Sequence, residues 1–410
     1  MNVASFISTF DAQRGSAGFD DYKDVMEIIE HVRSDGDRAL HDYTAQFDNQ
    51  TLDTFKVDKA ALKDSYDAIS SEEREALETI KRRIEHYQKS IKYTDMDHGE
   101  FRYVYHPLEK IGVYVPGGTA LYPSSVLMTV VPALVAGVKE IHVVTPTFEE
   151  NNITFAALYI CGIENVYKVG GAQAIAALAY GTQTVPKVDK IVGPGNYYVA
   201  LAKRLLFGEV GIDMIAGPSE ILIYVDQDAH IDAIVYDLFA QAEHDANART
   251  FLISEDESII KKIEERLEQM LANQPRSSII RASIKDNHYA VVDSQEALIS
   301  MINHIAPEHV SIQHRDADRI IRNIKYAGAV FNGYYSPEAI GDYAAGPSHV
   351  LPTDKTGRFS HGLNVNDFLT SHAVISLEKT TYEDIVEPAK TIARREQLDA
   401  HYQSLNIRTE

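Results

Sequence analysis

Residues 110–118 read Lys-Ile-Gly-Val-Tyr-Val-Pro-Gly-Gly, and this stretch decides the fold class. Its β-branched and aromatic residues predict a short strand, and the proline and glycines predict a tight turn after it. A helical stretch follows. The same order recurs at 141–144, 166–169 and 190–192, where each apolar run ends at Gly or Pro and leads into a helix. Strands that alternate with helices predict a parallel, doubly wound α/β sheet.

The strand pattern starts again after Ala216-Gly-Pro-Ser219. Helical stretches at 231–244 and 258–271 separate the runs. A second α/β unit is therefore expected after the first. Its predicted strands are 221–225, 250–253, 290–292, 310–312 and 329–331.

The two ends of the chain lack this alternation of strands and helices. The first part is charged and helix-rich, and Ser-Glu-Glu at 71–73 predicts the start of a long helix toward Ile91. The last thirty residues hold a charged helix over 382–400, and such a tail often packs on a partner subunit. The predicted regions are 1–109, 110–218, 219–380 and 381–410.

Composition excludes several classes of protein. The net charge of −21 disfavours nucleic-acid partners, which need clustered Lys and Arg, and would suit a small cationic substrate. The longest apolar run, 126–138, is interrupted by Thr129 and Pro132 and is too short to span a membrane. The N-terminus lacks the basic and apolar regions of a signal peptide, so we expect a cytoplasmic protein. With the single cysteine Cys161, a metal must use His, carboxylate or amide ligands.

Three glycine turns suggest where a nucleotide could bind. They lie at 116–118, 170–173 and 193–196, each at a predicted strand end that leads into a helix. Backbone N–H groups at a helix N-terminus stabilise phosphate, and ligands collect at the carboxyl edge of such a sheet. None of the turns matches G-x-G-x-x-G, and glycine is also ordinary in such turns, so the turns alone leave nucleotide binding open.

A set of nitrogen and oxygen ligands suggests a metal site. Gln241 and His244 are three residues apart in a helical stretch, which places them on one face. Asp342 and His349 flank a loop after the strand at 329–331, where the carboxyl edge of an α/β sheet would collect ligands. Each residue taken alone is better explained as a surface or hydrogen-bonded side chain than as a metal ligand. Together they suit zinc with expanded coordination, or manganese, cobalt or magnesium.

Glu308 and His309 form an adjacent carboxylate and imidazole before a predicted strand. Such a pair can transfer protons near neutral pH, with His serving an alcohol and Glu a water. Cys161 has no basic neighbour in sequence to activate it, and we interpret it as a small buried residue.

Read together, these segments resemble histidinol dehydrogenase over nearly the whole chain. The resemblance implies a homodimer of two incomplete Rossmann-like domains with small helical N- and C-terminal parts. Each active site would be completed by the C-terminal tail of the other subunit. The motifs that carry the resemblance are Val113–Gly118, Lys168–Ala174, Val192–Asn196, Ala216–Glu220, Gln241–His244, Ala306–His309, Gly341–Tyr343 and His349–Thr353.

The resemblance also implies the reaction and the residues that perform it. L-histidinol would be oxidised through L-histidinal to L-histidine by two NAD⁺, with one zinc ion per subunit, as the last step of histidine biosynthesis. His309 would take the hydroxyl proton and Glu308 would activate water. The zinc ligands would be Gln241, His244 and Asp342 from one subunit and His401 from its partner. These ligands and the proton-transferring pair would contact the substrate together with Ser219, His349 and Glu396, and NAD⁺ would contact Tyr114, Gln173 and Asn196.

The chain departs from the family pattern at three positions. Gln397 stands where the family usually has glycine, which puts the local turn of the tail in doubt. Ser348 stands in place of the common Asn, and His361 in place of Ser. None of these changes alters a proposed ligand.

Four other functions compete with this interpretation. A relative on the same scaffold could oxidise another polar alcohol, such as a sulfonated diol, although His349 and Glu396 suit imidazole and ammonium better. An aldehyde dehydrogenase that forms a thiohemiacetal would need Cys161 as its nucleophile. A zinc hydrolase would act without NAD⁺, and a nucleotide sensor would leave the metal ligands unexplained.

Overall fold

A computed structural model describes residues 3–12, 18–117, 121–285 and 288–409. The chain forms two compact units. The first comprises residues 1–91 and 108–368, and the second comprises residues 92–107 and 369–410. None of the helices in the described ranges is long and apolar enough to cross a membrane.

The described residues up to Ile91 are mostly helical, as predicted for this region. Helix α5 begins where Ser-Glu-Glu predicted it, because Ser70 and Glu73 form a capping box. The Ser70 backbone N–H donates to Glu73 Oε2 at 2.7 Å, and the Glu73 N–H donates to Ser70 Oγ at 3.2 Å. The helices are α1 (Val3–Ala12), α2 (Phe19–Asp35), α3 (Asp37–Asp48), α4 (Lys59–Ala68) and α5 (Ser71–Ile91), followed by strands β1 (Met96–His98) and β2 (Phe101–Pro107).

The first parallel sheet lies in residues 110–212 and has the order β5-β4-β3-β6-β7. The four predicted strands are present, and the short β7 is an addition that the sequence pattern did not indicate. Its strands are β3 (Lys110–Tyr114), β4 (Glu140–Val144), β5 (Asn165–Tyr167), β6 (Lys190–Val192) and β7 (Gly211–Ile212). The helices are α6 (Pro123–Ala136), α7 (Ile153–Ile160), α8 (Gly171–Tyr180) and α9 (Tyr197–Leu206).

The second parallel sheet repeats this topology in residues 220–332, with the order β10-β9-β8-β11-β12. All five predicted strands are present, and the predicted α/β fold class is confirmed. The strands are β8 (Glu220–Val225), β9 (Arg249–Ser254), β10 (His288–Val291), β11 (His309–Gln313) and β12 (Ala329–Asn332). The helices are α10 (Ile231–Ala242), α11 (Glu257–Leu271), α12 (Ser277–Ile284), α13 (Gln295–Ile305), α14 (Ala317–Ile321) and α15 (Glu338–Tyr343). Two 3-10 turns follow at Thr356–Arg358 and Val365–Phe368.

Apolar side chains of the second sheet form the core that holds the site in place. Every residue of β8 is buried, as expected for a central strand covered on both faces. Helix α11 presents a buried apolar stripe to the sheet, which includes Ile259, Ile263 and Leu267 at helical spacing. The central strands of this sheet are therefore a rigid platform for the side chains at their ends.

The second unit contains a three-stranded antiparallel sheet, ordered β1-β2-β13, with β13 at Leu369–Ile375. Two helices follow, α16 (Lys379–Arg395) and α17 (Asp399–Asn406). The prediction of one tail helix over 382–400 was wrong, because the helix ends at Arg395 and a new one starts after Leu398. The cause is Gln397, which has a φ of 60° and so leaves the right-handed helix.

Candidate active site

The polar residues of the candidate site meet at the amino edge of the second sheet. His309 is the first residue of β11, and Glu220 is the first residue of the neighbouring β8. We had expected Asp342 and His349 at the carboxyl edge, and that expectation was wrong. The chain folds back after β12, with Gly341 of α15 against the Phe331 ring. The start of α15 is already at the amino edge, because Glu338 Oε1 lies 4.0 Å from His309 Nε2.

His309 is held by two acceptors on the same ring nitrogen. Its Nδ1 lies 3.0 Å from the Glu220 carbonyl oxygen and 3.1 Å from Gln241 Oε1. A carbonyl oxygen only accepts, so we assign the proton to Nδ1, which leaves Nε2 with a free lone pair. Burial lowers the pKa of His309 to about 4, so the imidazole is neutral at neutral pH. The ring is therefore placed to accept a proton at Nε2.

Glu308 lies beside this imidazole and is also buried. Its Oε2 accepts the backbone N–H of Glu220 at 2.9 Å. Burial raises the pKa of Glu308 well above its usual range, by more than this hydrogen bond lowers it. A cation bound nearby would favour the ionised carboxylate, because opposite charge stabilises the charged form.

The predicted zinc ligands His244 and Asp342 face each other. His244 Nε2 lies 3.6 Å from Asp342 Oδ2. Two ligands on one tetrahedral zinc are about 3.4 Å apart, as follows from metal–ligand distances near 2.1 Å. The sequence predicts that His244 and Gln241 share one helix face. That prediction was wrong, because α10 ends at Ala242, before His244. The turn after α10 still holds the two together, since the His244 N–H donates to the Gln241 carbonyl at 3.3 Å.

Glu338 is a site residue that sequence reasoning missed. It is buried, and among the described residues its Oε1 has no hydrogen-bond partner. Together with His309 and Asp342 it offers ligand atoms that all lie within 4.8 Å of one another. Burial, and secondly the charge of Asp342, raise the pKa of Glu338 to about 9. Its position four residues before Asp342 on a helix was the available signal, because that spacing puts both on one face.

His349 and Ser219 lie at the same edge. His349 Nδ1 is 3.0 Å from the Asp342 carbonyl oxygen, and its Nε2 is 3.3 Å from Ser125 Oγ. Burial lowers the pKa of His349. Ser219 is partly exposed and immediately precedes β8. The first unit thus brings both residues to the edge that carries the predicted zinc ligands.

Glu396 and His401 belong to the second unit. Glu396 is the C-cap residue that follows α16, and His401 lies in the first turn of α17. Both are exposed. Their predicted roles in the substrate and zinc sites stay predictions.

The residues predicted to contact NAD⁺ follow strands of the first sheet, at its carboxyl edge. Tyr114 ends β3, and its hydroxyl accepts the Gly171 N–H at 3.2 Å at the start of α8. Burial raises the pKa of Tyr114 to about 12. Gln173 is buried with Oε1 unpartnered among the described residues, whereas Asn196 is exposed and caps α9 through the Val199 N–H at 3.1 Å.

The glycine turns at this edge are required by packing. Gly193 has a φ of 111°, and a Cβ there would collide with the Tyr114 carbonyl oxygen. Gly118 of the first turn lies outside the described residues. The glycines therefore have a structural reason, and the N–H groups of Gly171 and Gly193 already donate to Tyr114 and Asp213.

Cys161 caps the end of α7 and is buried. Burial raises the pKa of its thiol to about 12, so the thiolate that a thiohemiacetal mechanism needs is disfavoured. This agrees with its interpretation as a core residue.

Comparison with known proteins identifies the family. The histidinol dehydrogenase family model matches residues 13–409. A histidinol dehydrogenase of Staphylococcus saprophyticus is 53% identical over 97% of this chain and 95% of the relative, and one of Staphylococcus aureus is 48% identical over 100% and 99%. The crystal structure of histidinol dehydrogenase from Elizabethkingia anophelis superposes with a TM-score of 0.93 at 33% identity, covering 99% of this chain and 95% of that one. The chain belongs to the histidinol dehydrogenase family and is, as the sequence predicted, an oxidoreductase of histidine biosynthesis.

Proposed function

We propose that this dehydrogenase oxidises L-histidinol through L-histidinal to L-histidine with two NAD⁺ and one zinc ion per subunit. The observation that carries the proposal is the neutral, buried His309, whose Nε2 is free to accept a proton beside Glu308. The facing pair His244 and Asp342 lies at the same sheet edge.

The residues at this edge fit a zinc ion. The buried Glu338 Oε1 has no protein partner among the described residues, and the surrounding donors are the imidazole, carboxylate and amide groups that zinc accepts. We assign Gln241, His244 and Asp342 as ligands, with His401 of the partner subunit as the fourth. Gln241 Oε1 accepts from His309 with one lone pair and retains a second for the ion. The ion would hold the imidazole and amino group of the substrate and so orient its alcohol.

The proton steps fall to His309 and Glu308. His309 Nε2 takes the hydroxyl proton while NAD⁺ accepts the hydride, which yields the aldehyde. The Nδ1–H bonds to Glu220 and Gln241 keep the ring oriented during this transfer. Glu308 then removes a proton from the water that hydrates the aldehyde, and a second hydride transfer yields the carboxylate.

We assign NAD⁺ to the carboxyl edge of the first sheet. Tyr114 ends β3 and its hydroxyl reaches the start of α8, Gln173 lies in the first turn of α8, and Asn196 caps α9. Such an edge is where open α/β sheets bind nucleotides. Residues 110–218 would then serve as the NAD⁺ domain and 219–380 as the domain for metal and proton transfer.

We further propose that two copies share their active sites and that the protein works in the cytoplasm. The second unit exposes large apolar side chains, of which Phe101 (61%), Ile375 (67%) and Ile407 (67%) are examples. Exposed apolar surface of this kind marks interaction sites. The exposed Glu396 and His401 lie on the same unit, which supports the region 381–410 as the part that reaches the partner.

Mixing two inactive variants tests both the shared site and the residue assignments. Asp342→Ala subunits and His401→Ala subunits are each expected to be inactive as homodimers. In a mixed dimer one site collects both lesions and the other collects none. With random exchange at equal concentrations, activity should recover to about one quarter of wild type. If subunits exchange and no NADH forms, the site lies within one chain and His401 is wrongly assigned.

A further inference from the structure

We propose that the ion pair between the buried Glu220 and the partly buried Arg249 is a positioning unit for Glu308 and His309. The inference rests on the proposed catalytic role of those two residues. It adds two residues, neither of which contacts the substrate in the proposed mechanism.

The main chain of Glu220 contacts both proton-transferring side chains. Its N–H donates to Glu308 Oε2 at 2.9 Å, and its carbonyl oxygen accepts from His309 Nδ1 at 3.0 Å. One residue therefore sets the position of the carboxylate, the orientation of the imidazole and the tautomer that leaves Nε2 free. A small movement of Glu220 would displace both groups together.

The side chain of Glu220 is anchored on two sides. It is fully buried, and its Oε1 accepts from Arg249 Nη1 at 3.0 Å. Its Oε2 accepts the backbone N–H of Asp354 at 3.2 Å, and Arg249 Nη1 also donates to Asp354 Oδ1 at 3.2 Å. The backbone is tied as well, because the Arg249 N–H donates to the Ser219 carbonyl at 2.8 Å.

The loop that completes this anchor holds an unfavourable conformation. Asp354 and Lys355 have φ values of 50° and 69°, which non-glycine residues rarely adopt. Such strain persists only where surrounding contacts hold it. The bond from the Asp354 N–H to Glu220 is one of those contacts.

Helix α1 covers the ion pair from outside. The Phe10 ring is buried and lies 5.7 Å from the Arg249 guanidinium and 5.2 Å from Lys355 Nζ. Lys355 is bonded in turn to Asp11 of the same helix. The Arg249 side chain is 17% exposed, so water is largely but not fully kept away, and this partial exclusion strengthens the attraction between Arg249 and Glu220.

A buried ion pair contributes little net stability, because the desolvation of two charges offsets their attraction. Apolar residues would fill this space at equal or lower cost. What an apolar pair cannot do is fix the direction of the Glu220 peptide groups. Position, rather than stability, is therefore the property that the pair supplies.

Arg249→Lys and Glu220→Gln test the proposal. Arg249→Lys keeps the positive charge but loses the planar guanidinium group with its paired donors. Glu220→Gln keeps the size and shape of the side chain but loses its negative charge. In assays with histidinol and with supplied histidinal, we expect kcat to fall at least about tenfold, since small misplacements of catalytic groups are costly. The KM for histidinol should change less than about threefold and zinc content should stay at wild-type level, because the assigned metal ligands lie on other elements. The double variant should lose no more than the worse single variant, because both remove the same interaction.

Leu267→Ala provides a matched control for loss of stability. Leu267 is a buried core residue of α11, so its truncation should lower the melting temperature without lowering kcat below the melting range. Folding of each variant is checked by circular dichroism, and if only one ion-pair variant folds, its kcat alone decides. Wild-type kcat in a folded ion-pair variant, or a loss that follows zinc loss, would overturn the inference. Glu308→Gln and His309→Asn in the same assay distinguish failure of the positioning proposal from failure of the proposed catalytic roles. Full activity in these two variants would refute the catalytic roles of Glu308 and His309.

Discussion

Replacing Gln397 by glycine should stabilise the C-terminal tail. Gln397 follows Glu396, the C-cap residue of α16, and has a φ of 60°. Its N–H donates to the Arg394 carbonyl at 3.1 Å, and the Leu398 N–H donates to the Ala393 carbonyl at 3.0 Å. These two bonds form a Schellman motif, in which the left-handed residue is usually glycine.

The size of the effect follows from two opposing terms. A left-handed conformation costs an L-residue about 1–2 kcal/mol, which glycine avoids. Glycine loses more backbone entropy on folding, which subtracts roughly 0.5–1 kcal/mol. Gln397→Gly should therefore stabilise the tail by about 0.5–1 kcal/mol. Gln403→Gly is the matched control, because Gln403 lies inside α17 and the same replacement there should destabilise by a similar amount.

Hydrogen exchange of peptides from 379–409, followed by mass spectrometry, measures this local stability. A change of 0.5–1 kcal/mol corresponds to about two- to fivefold in opening equilibrium, so exchange should slow in Gln397→Gly and quicken in Gln403→Gly. The chain contains no tryptophan, so far-UV circular dichroism serves as the check on global folding. Faster exchange in Gln397→Gly than in wild type would refute the reasoning.

Three further outcomes are expected. His244→Ala or Asp342→Ala should lower bound zinc and activity together with unchanged circular dichroism, and unaltered metal content would contradict their assignment. Cys161→Ser should keep at least about half of the wild-type kcat, since the buried thiol is not ionised, whereas an inactive variant would favour the thiohemiacetal mechanism. Glu308→Gln should slow oxidation of supplied histidinal more than that of histidinol, and His309→Asn should slow the first step at least as much; equal losses in rapid-mixing assays would count against this division.

Local features of the fold followed from the sequence alone. The β-branched runs predicted β3, β4 and β6 to within a residue at each end, and the acidic start after Ser70 predicted the first turn of α5. Both signals depend on interactions between residues a few positions apart. The motifs also identified the family. Several short motifs in a fixed order are specific to a family, even where the secondary structure around each motif cannot be predicted.

Only the tertiary structure decided how the site is assembled. The amino-edge location depends on residues 333–337, which bring the start of α15 back beside His309, and the role of Glu220 depends on the register that puts β8 beside β11. Glu338 was not predicted as a site residue. It lies close to His309 in the fold but 29 positions away in the sequence, and no sequence pattern indicates such a contact. Spacing along a chain constrains neighbours within one helix or strand, whereas distances between elements are set by how the core packs them together.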